Sequence, residues 1–407
     1  MRSLAALLLT PLAALATPIL QTDGEAIPGK WIAVLKPDNT STQLFGTVTG
    51  ALGGVTPVHS YAMGGFQGYS FSASDDVMKS VADINEVAYV TPDVKVSVAS
   101  LTTQTPAPWN LARISHRAPG ATEYTYDDSA GEGTFAYILD TGIHVDHPEF
   151  GGRASFGANF ANDSAADTAT ATTSTASNDD DDDDDDDENG HGTHVAGIVG
   201  SATYGVAKKT NLIAVKVLGP NGSGAISQVI AGLQWALEDA RSKGRIGKAV
   251  TNISLGVYTT KADTPLSAAA ASAVTAGMFL AVAAGNSNAN ATNFSPANAP
   301  GACAVGATDA NDRRAAFSNW GDSIDVFAPG VRIVSTYNNG STAVLSGTSQ
   351  ASPHVAGLAA YLLALEGPRD PLALCQRIQD LATKGVVTSS KSKNNNIAYN
   401  GVEERGA

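Results

Sequence analysis

The sequence predicts an α/β fold: a mostly parallel sheet covered by helices on both faces, with a small α+β domain in front. Three observations carry this. Beyond residue 101, continuous apolar runs alternate with stretches of helical period, the pattern of strands buried on both sides. Before residue 98, the runs are shorter and follow a different order. Between the two parts, Ala99–Pro108 contains Thr-Thr-Gln-Thr-Pro-Ala-Pro, a polar, proline-bearing linker open to proteolysis.

The front part reads β-α-β-β-α-β: strand Lys30–Lys36, a weak helix Thr40–Leu52, strands Val55–Met63 and Tyr69–Ser72, helix Asp75–Ile84 starting on Ser74, and strand Val87–Val98. That order is a ferredoxin-like sandwich. It holds no cluster of histidine, acid and nucleophile, so its expected role is structural or inhibitory. In the larger part, Thr134–Leu139, Leu212–Leu218, Ala249–Leu255, Met278–Ala284, Cys303–Ala307 and Ile324–Phe327 are β-rich. Ile226, Val229, Ile230, Leu233, Leu237 and Ala240 share one helical face, and Pro265–Ala276 and Ser349–Leu365 also have helical patterns. Sheets of this kind bind ligands at the carboxyl ends of their strands.

Composition narrows the function. The 407 residues are 43% apolar and 16% charged, below the charge content of a disordered chain. The net charge is −14, but Asp179–Asp187 with Glu188 supplies ten negatives; without them 25 positive side chains face 29 negative ones. No basic face suited to nucleic acid emerges. Two cysteines exclude a zinc cluster, an iron–sulfur centre and a disulfide-framework miniprotein. Arg2, the apolar run Leu4–Ala16 and the ending Ala14-Leu15-Ala16 form a signal peptide over residues 1–16, and no later apolar run reaches membrane-spanning length. A secreted, extracellular protein is expected, with its cysteines oxidised. Residues 162–189, rich in Ala, Thr and Ser and then Asp, are expected to be a disordered insertion.

Chemistry concentrates in three motifs. Asp140 ends a strand before Thr141-Gly142, where an aspartate taken alone is best read as a cap of the next turn. His191-Gly192-Thr193-His194-Val195-Ala196-Gly197 opens a helix; its histidines are a metal pair, structural residues or a base, and the i, i+4 spacing with a glutamate typical of a zinc helix is missing. Gly347-Thr348-Ser349-Gln350-Ala351-Ser352-Pro353-His354 leads into an apolar helix that Ser349 would N-cap if it were not a nucleophile. Together they supply nucleophile, base and orienting carboxylate in the order Asp140, His191, Ser349. No G-x-S-x-G elbow surrounds Ser349, which disfavours an α/β-hydrolase. Asn286, after Ala283-Ala284-Gly285, is placed to meet a developing oxyanion beside the Ser349 N–H.

With these motifs, Ala107-Pro108-Trp109, Tyr204-Gly205-Val206-Ala207-Lys208-Lys209 and Ala356-Gly357-Leu358-Ala359-Ala360-Tyr361-Leu362, the chain from about Thr102 onward resembles the subtilisin-like serine proteases of the proteinase K type. The resemblance implies a serine endopeptidase made as a zymogen, with an inhibitor-type propeptide over residues 17–101 and a catalytic domain over 102–407. It implies a triad of Asp140, His191 and Ser349, an oxyanion hole of Asn286 and Ser349, and substrate segments Gly222-Ser223-Gly224 and Ser254-Leu255-Gly256. A primary pocket between the latter and Ala283-Ala284-Gly285 would take a large apolar side chain. A disulfide Cys303–Cys375 and one structural Ca2+ at Pro300, Ala302 and Asp325 follow from the same resemblance. The partners it implies are protein and peptide substrates and the propeptide as inhibitor, with a monomeric enzyme. The chain departs from the family's pattern in Phe135, where a second disulfide would have a cysteine, Val195, where a free cysteine would stand, and Gln350, where methionine is common. No acid lies near Gly385-Val386 for a second calcium site. Two further readings compete: an inactive member serving as a binding or surface protein, and a calcium or mineral binder acting through Asp179–Asp187. Glycosylation sequons occur at Asn39, Asn162, Asn221, Asn252, Asn290, Asn293 and Asn339, with Asn221 and Asn252 lying in the expected substrate segments.

Overall fold

A computed structural model describes residues 19–20, 26–36, 50, 56–94, 101–161, 186–261 and 263–402. The chain divides into two compact units, residues 1–98 and 99–407. The expected signal peptide and the helix Thr40–Leu52, apart from Gly50, lie outside the described residues.

In the first unit, β1 (Ala26–Leu35), β2 (His59–Met63), β3 (Phe66–Ser72) and β4 (Val87–Val94) form an antiparallel sheet in the order β2-β3-β1-β4. Helix α1 (Asp75–Ala82) follows β3. Ser74 is its N-cap residue without a side-chain cap bond, so the favourable N-terminal charge comes from Asp75 and Asp76. The helix ends two residues before the expected Ile84, once Met78, Val81 and Ala82 have been buried against Ala33, Phe71, Val87 and Val90.

The second unit begins within the expected linker. Leu101–Gln104 is strand β5, paired antiparallel with β6 (Tyr124–Asp127), and α2 (Trp109–Ser115) comes between them. This half of the linker is therefore structured, because ladder hydrogen bonds to Tyr124–Asp127 satisfy its backbone. The central sheet has nine strands. It uses β7 (Phe135–Asp140), β8 (Ala154–Asn159), β9 (Asn211–Lys216), β10 (Ala249–Ile253), β12 (Phe279–Ala283), β14 (Cys303–Thr308), β15 (Val326–Pro329), β18 (Thr383–Lys384) and β19 (Asn396–Ile397). Their order is β18-β19-β15-β14-β12-β10-β7-β9-β8, parallel throughout except for β18 against β19.

Continuous apolar strands serve two cores by simple alternation. Ala136, Ile138, Leu212 and Ala214 face one core, which also contains Val195 and Val199 of α3 (His191–Gly200) and Leu358 of α6 (Thr348–Glu366). Tyr137, Leu139, Ile213 and Val215 face the other, with Val229 and Leu233 of α4 (Ile226–Ser242) and Ala270 and Val274 of α5 (Pro265–Thr275). Within α4, Ile226 lies outside the expected buried face and is 40% exposed. From β7 the chain adds β8 and β9 on one side, then returns to build β10, β12 and β14 on the other. The strand order thus reverses between β7 and β10, the position where such sheets open a ligand crevice. Short pairs β11 (Val257–Tyr258) with β13 (Phe294–Ser295) and β16 (Ile333–Thr336) with β17 (Thr342–Leu345) flank it, and α7 (Pro371–Leu381) packs against β12 and α6.

Candidate active site

Four strand ends and two helix starts meet at a cleft of about 410 Å³. Thr141 follows β7, Leu218 follows β9, Ser254–Gly256 follow β10, and Ala283 and Gly285–Ser287 end and follow β12; His191 and Ser349 enter from α3 and α6. The cleft also includes Asn189, Gly222, Phe294 and Thr348.

Asp140 is fully buried at the end of β7. Its Oδ1 accepts from the Thr141 N–H at 2.9 Å and lies 2.7 Å from His191 Nδ1. That contact places the proton on Nδ1 and leaves Nε2 with the lone pair a base requires. Burial pulls the His191 pKa down, but the Asp140 charge and hydrogen bond, with the Asp187 charge, outweigh it and raise the pKa above its usual value. Ser349 stands in the first turn of α6, whose N-cap residue is Gly347, so Ser349 is not the cap. Its hydroxyl donates to the Ser254 carbonyl at 3.0 Å, while the Ser254 hydroxyl donates to the Ser349 carbonyl at 2.8 Å.

Asn286 is held by its oxygen. Oδ1 accepts from the Thr348 N–H at 2.8 Å and the Thr348 hydroxyl at 2.9 Å, which fixes the amide's rotation and frees Nδ2 as a donor. The preceding turn requires Gly285: its φ is +100°, and a Cβ there would stand 2.3 Å from Asn319 Nδ2. Asn319 in turn donates to the Ala284 carbonyl at 2.8 Å and accepts from the N–H groups of Ser287 and Ala289 at 3.0 Å each.

The second histidine of the α3 motif has a different place. His194 is fully buried, its Nε2 lying 3.1 Å from the Ile333 carbonyl and 3.2 Å from that of Ala343, and burial lowers its pKa to about 4. It is a neutral tie between α3 and the β16–β17 hairpin. His354 is also neutral, lowered to about 4 by burial; Nδ1 lies 2.8 Å from the Gln350 carbonyl and Nε2 2.8 Å from Asn110 Nδ2.

The expected substrate residues are partly rearranged. Gly222, Ser254, Leu255, Gly256, Ala283 and Gly285 line the cleft; Ser223 and Gly224 continue as exposed chain beyond it. Ala284 lies behind the wall with no exposure, because its N–H is bonded to Val305. Phe294, on the short strand β13, was not marked by any sequence motif, and only the pairing with Val257–Tyr258 brings it to the cleft. Asn252 is completely buried, so its sequon is inaccessible.

Asp186–Asn189 correct the expected extent of the insertion. These residues are described and bonded into the site, and Asp187 is 1% exposed. Four hydrogen bonds to its carboxylate outweigh the polar, like-charged character of the local sequence.

Away from the cleft, Cys303 and Cys375 form a disulfide with a Cα separation of 5.9 Å, joining β14 to α7. Ala302 and Asp325 line a second cavity beside it, and Pro300 is exposed next to them. Among the described residues, the Pro300 and Ala302 carbonyls accept no hydrogen bond. Burial pushes the Asp325 carboxyl up to about 6, against the N–H bond from Ala304. A carboxylate short of charge compensation beside free carbonyls is an oxygen donor set that fits a hard cation, and the neighbouring sulfurs are committed to the disulfide.

Fold and cleft define a subtilisin-like serine protease. The chain belongs to the subtilase family, whose model matches residues 131–399. It is 47% identical over 349 residues to Subtilisin-like protease 3 of Pseudogymnoascus destructans, covering 84% of this chain and 81% of that one. To the Cuticle-degrading protease of Metarhizium anisopliae it is 43% identical over 387 residues, covering 94% and 93%. The crystal structure of a cold adapted subtilisin-like serine proteinase superimposes with a TM-score of 0.64 at 39% identity, covering 73% of this chain and 99% of that one. The protein is a serine endopeptidase.

Proposed function

We propose that the protein is a secreted endopeptidase, made as a zymogen, that cleaves peptide bonds with broad specificity after large apolar residues. The observation that carries this reading is the 2.7 Å contact of Asp140 with His191 Nδ1 in the cleft that also holds Ser349 and Asn286.

In this reading, substrate enters as an antiparallel strand between Gly222-Ser223-Gly224 and Ser254-Leu255-Gly256. Backbone hydrogen bonds then supply affinity with little demand on side chains. Its apolar side chain enters the pocket bounded by Leu255, Gly256, Ala283 and Phe294. The Ser349 hydroxyl leaves the Ser254 carbonyl, passes its proton to His191 Nε2 and attacks the scissile carbonyl carbon. Asp140 stabilises the imidazolium. The oxyanion is met by Asn286 Nδ2 and the Ser349 N–H at the start of α6, donors that need no rearrangement as charge develops. Collapse of the tetrahedral species transfers the His191 proton to the leaving amine and leaves an acyl-enzyme, which water then hydrolyses through the same base.

A calcium ion at the carbonyls of Pro300 and Ala302 and the Asp325 carboxylate would be structural, supplying positive charge that ties the loop before β14 to the one before β15. Residues 17–101 act as propeptide, inhibiting the mature monomer until cleavage near Leu101–Thr102. Fluorophosphonate labelling tests the reading: the wild-type chain should be labelled on Ser349, whereas Ser349→Ala should be neither labelled nor active. N-terminal sequencing of the secreted product tests the processing. Labelling elsewhere, or activity in Ser349→Ala, would refute the assignment.

A further inference from the structure

Asp187 ends the run of nine aspartates, yet its side chain belongs to the catalytic frame. Oδ1 accepts from the Thr141 hydroxyl at 2.7 Å and the Gly190 N–H at 2.8 Å. Oδ2 accepts from the Thr193 N–H at 2.7 Å and the Thr193 hydroxyl at 2.6 Å. Thr141 directly follows Asp140, and its hydroxyl oxygen also accepts from the Gly192 N–H at 2.9 Å. Thr193 lies two residues beyond His191, and its hydroxyl oxygen accepts from the His144 N–H at 2.9 Å. One carboxylate thus bridges the end of the strand carrying Asp140 and the first turn of the helix carrying His191.

The surroundings keep that carboxylate in place. Lys216, 1% exposed, donates to the carbonyls of Thr141 at 2.8 Å and Asp186 at 3.1 Å and pairs with the Glu188 carboxylate. Asn338 Nδ2 donates to the Asp187 carbonyl at 2.8 Å, and the Tyr337 hydroxyl donates to that of Asn189 at 3.0 Å. A buried carboxylate is costly unless hydrogen-bonded, and here four donors and a helix N-terminus offset its desolvation.

We propose that Asp187 is a positioning residue for the Asp140–His191 pair, setting their mutual geometry by binding the residues next to each. The last residues of the acidic tract, Asp186–Glu188, then serve the site rather than the insertion. This inference rests on the proposed roles of Asp140, His191 and Ser349.

The test uses the full processed enzyme and two kinds of variant. Asp187→Asn keeps the size but removes the charge and turns an NH2 toward donors. Thr193→Val keeps the charge and the shape but removes one hydroxyl that binds it. The charged and titratable groups facing His191 are Asp140 from β7, Asp187 ahead of α3 and His194 on α3. Peptide hydrolysis and fluorophosphonate labelling are followed across pH, with the folded fraction measured by thermal unfolding. Asp187→Asn should lower kcat by about 10²-fold, the size expected when reacting groups shift by about 1 Å, with KM nearly unchanged. Its acid limb should move to lower pH, since a negative charge favouring protonated His191 is lost. Thr193→Val should lower kcat by a smaller factor with the acid limb unmoved. A folded Asp187→Asn enzyme with wild-type kcat, or one whose loss merely tracks its folded fraction with the acid limb in place, overturns the proposal. Should Asp187→Asn not fold, a folded Thr193→Val enzyme with wild-type kcat overturns it alone. A wild-type chain that is not labelled on Ser349 overturns the triad, and this role with it.

Discussion

Gln350 follows Ser349 and carries an avoidable cost. It is 2% exposed, and its Nε2 is buried with no acceptor among the described residues. A buried donor left unpaired costs about 1–3 kcal/mol, and methionine fills a similar length and volume without hydrogen-bonding needs. Gln350→Met should therefore stabilise the protein by about 1–2 kcal/mol, taking the lower half of that range. With an unfolding entropy of about 2.1 cal/mol/K per residue over roughly 300 residues, Tm rises by about 2–3 °C. The measurement is made on Ser349→Ala, where self-digestion is absent, by denaturant and thermal unfolding with and without Gln350→Met. An unchanged or lower midpoint at constant m would refute the argument from the unpaired amide. In the active enzyme the same change should raise sensitivity to peroxide, because a sulfoxide beside Ser349 places a polar oxygen near the proposed oxyanion donors. Equal inactivation rates for the two forms would show that the thioether is not reached.

The other predictions concern the wider frame. Replacing Cys303 and Cys375 by alanine opens a loop with a sequence separation of 72 and should cost about 4 kcal/mol by loop entropy, read as a lower denaturation midpoint. His194 and His354, lowered to about 4, contribute stability that is present above pH 6.5 and lost as pH falls through 4, about 3 kcal/mol each. A stability profile that stays flat between those pH values would contradict their burial as neutral rings. In its proposed role as base His191 must be neutral, so the acid limb of kcat/KM should lie above the ordinary histidine value; a limb below it would mean that desolvation outweighs Asp140. Chelation should lower Tm in the wild type and leave an Asp325→Ala variant, already at the lower value, unmoved. Equal responses would place the calcium elsewhere.

Local signals in the chain were sufficient for much of this protein. The apolar runs that became β7, β9, β10 and β12 declare their burial on both faces, and their carboxyl ends carry Asp140 as the last residue of β7, Ser254 just after β10 and Asn286 three residues beyond β12. The motifs around His191 and Ser349 were likewise legible, as each lies within one helix start. What local signals missed depends on contacts between distant segments. Phe294 reaches the cleft only because it pairs with Tyr258, and Ala284 leaves it because its N–H is taken by Val305. His194 and His191 share one motif, yet burial keeps the first neutral against the pull of the Ile333 and Ala343 carbonyls, while Asp140 favours the protonated form of the second. Asp187 is the clearest case. In sequence it is one of nine identical acids with every sign of a solvated run. Thr141, Gly190 and Thr193 supply the donors that make it a buried anion, and only the tertiary fold gathers them from the end of β7 and the start of α3 around one carboxylate.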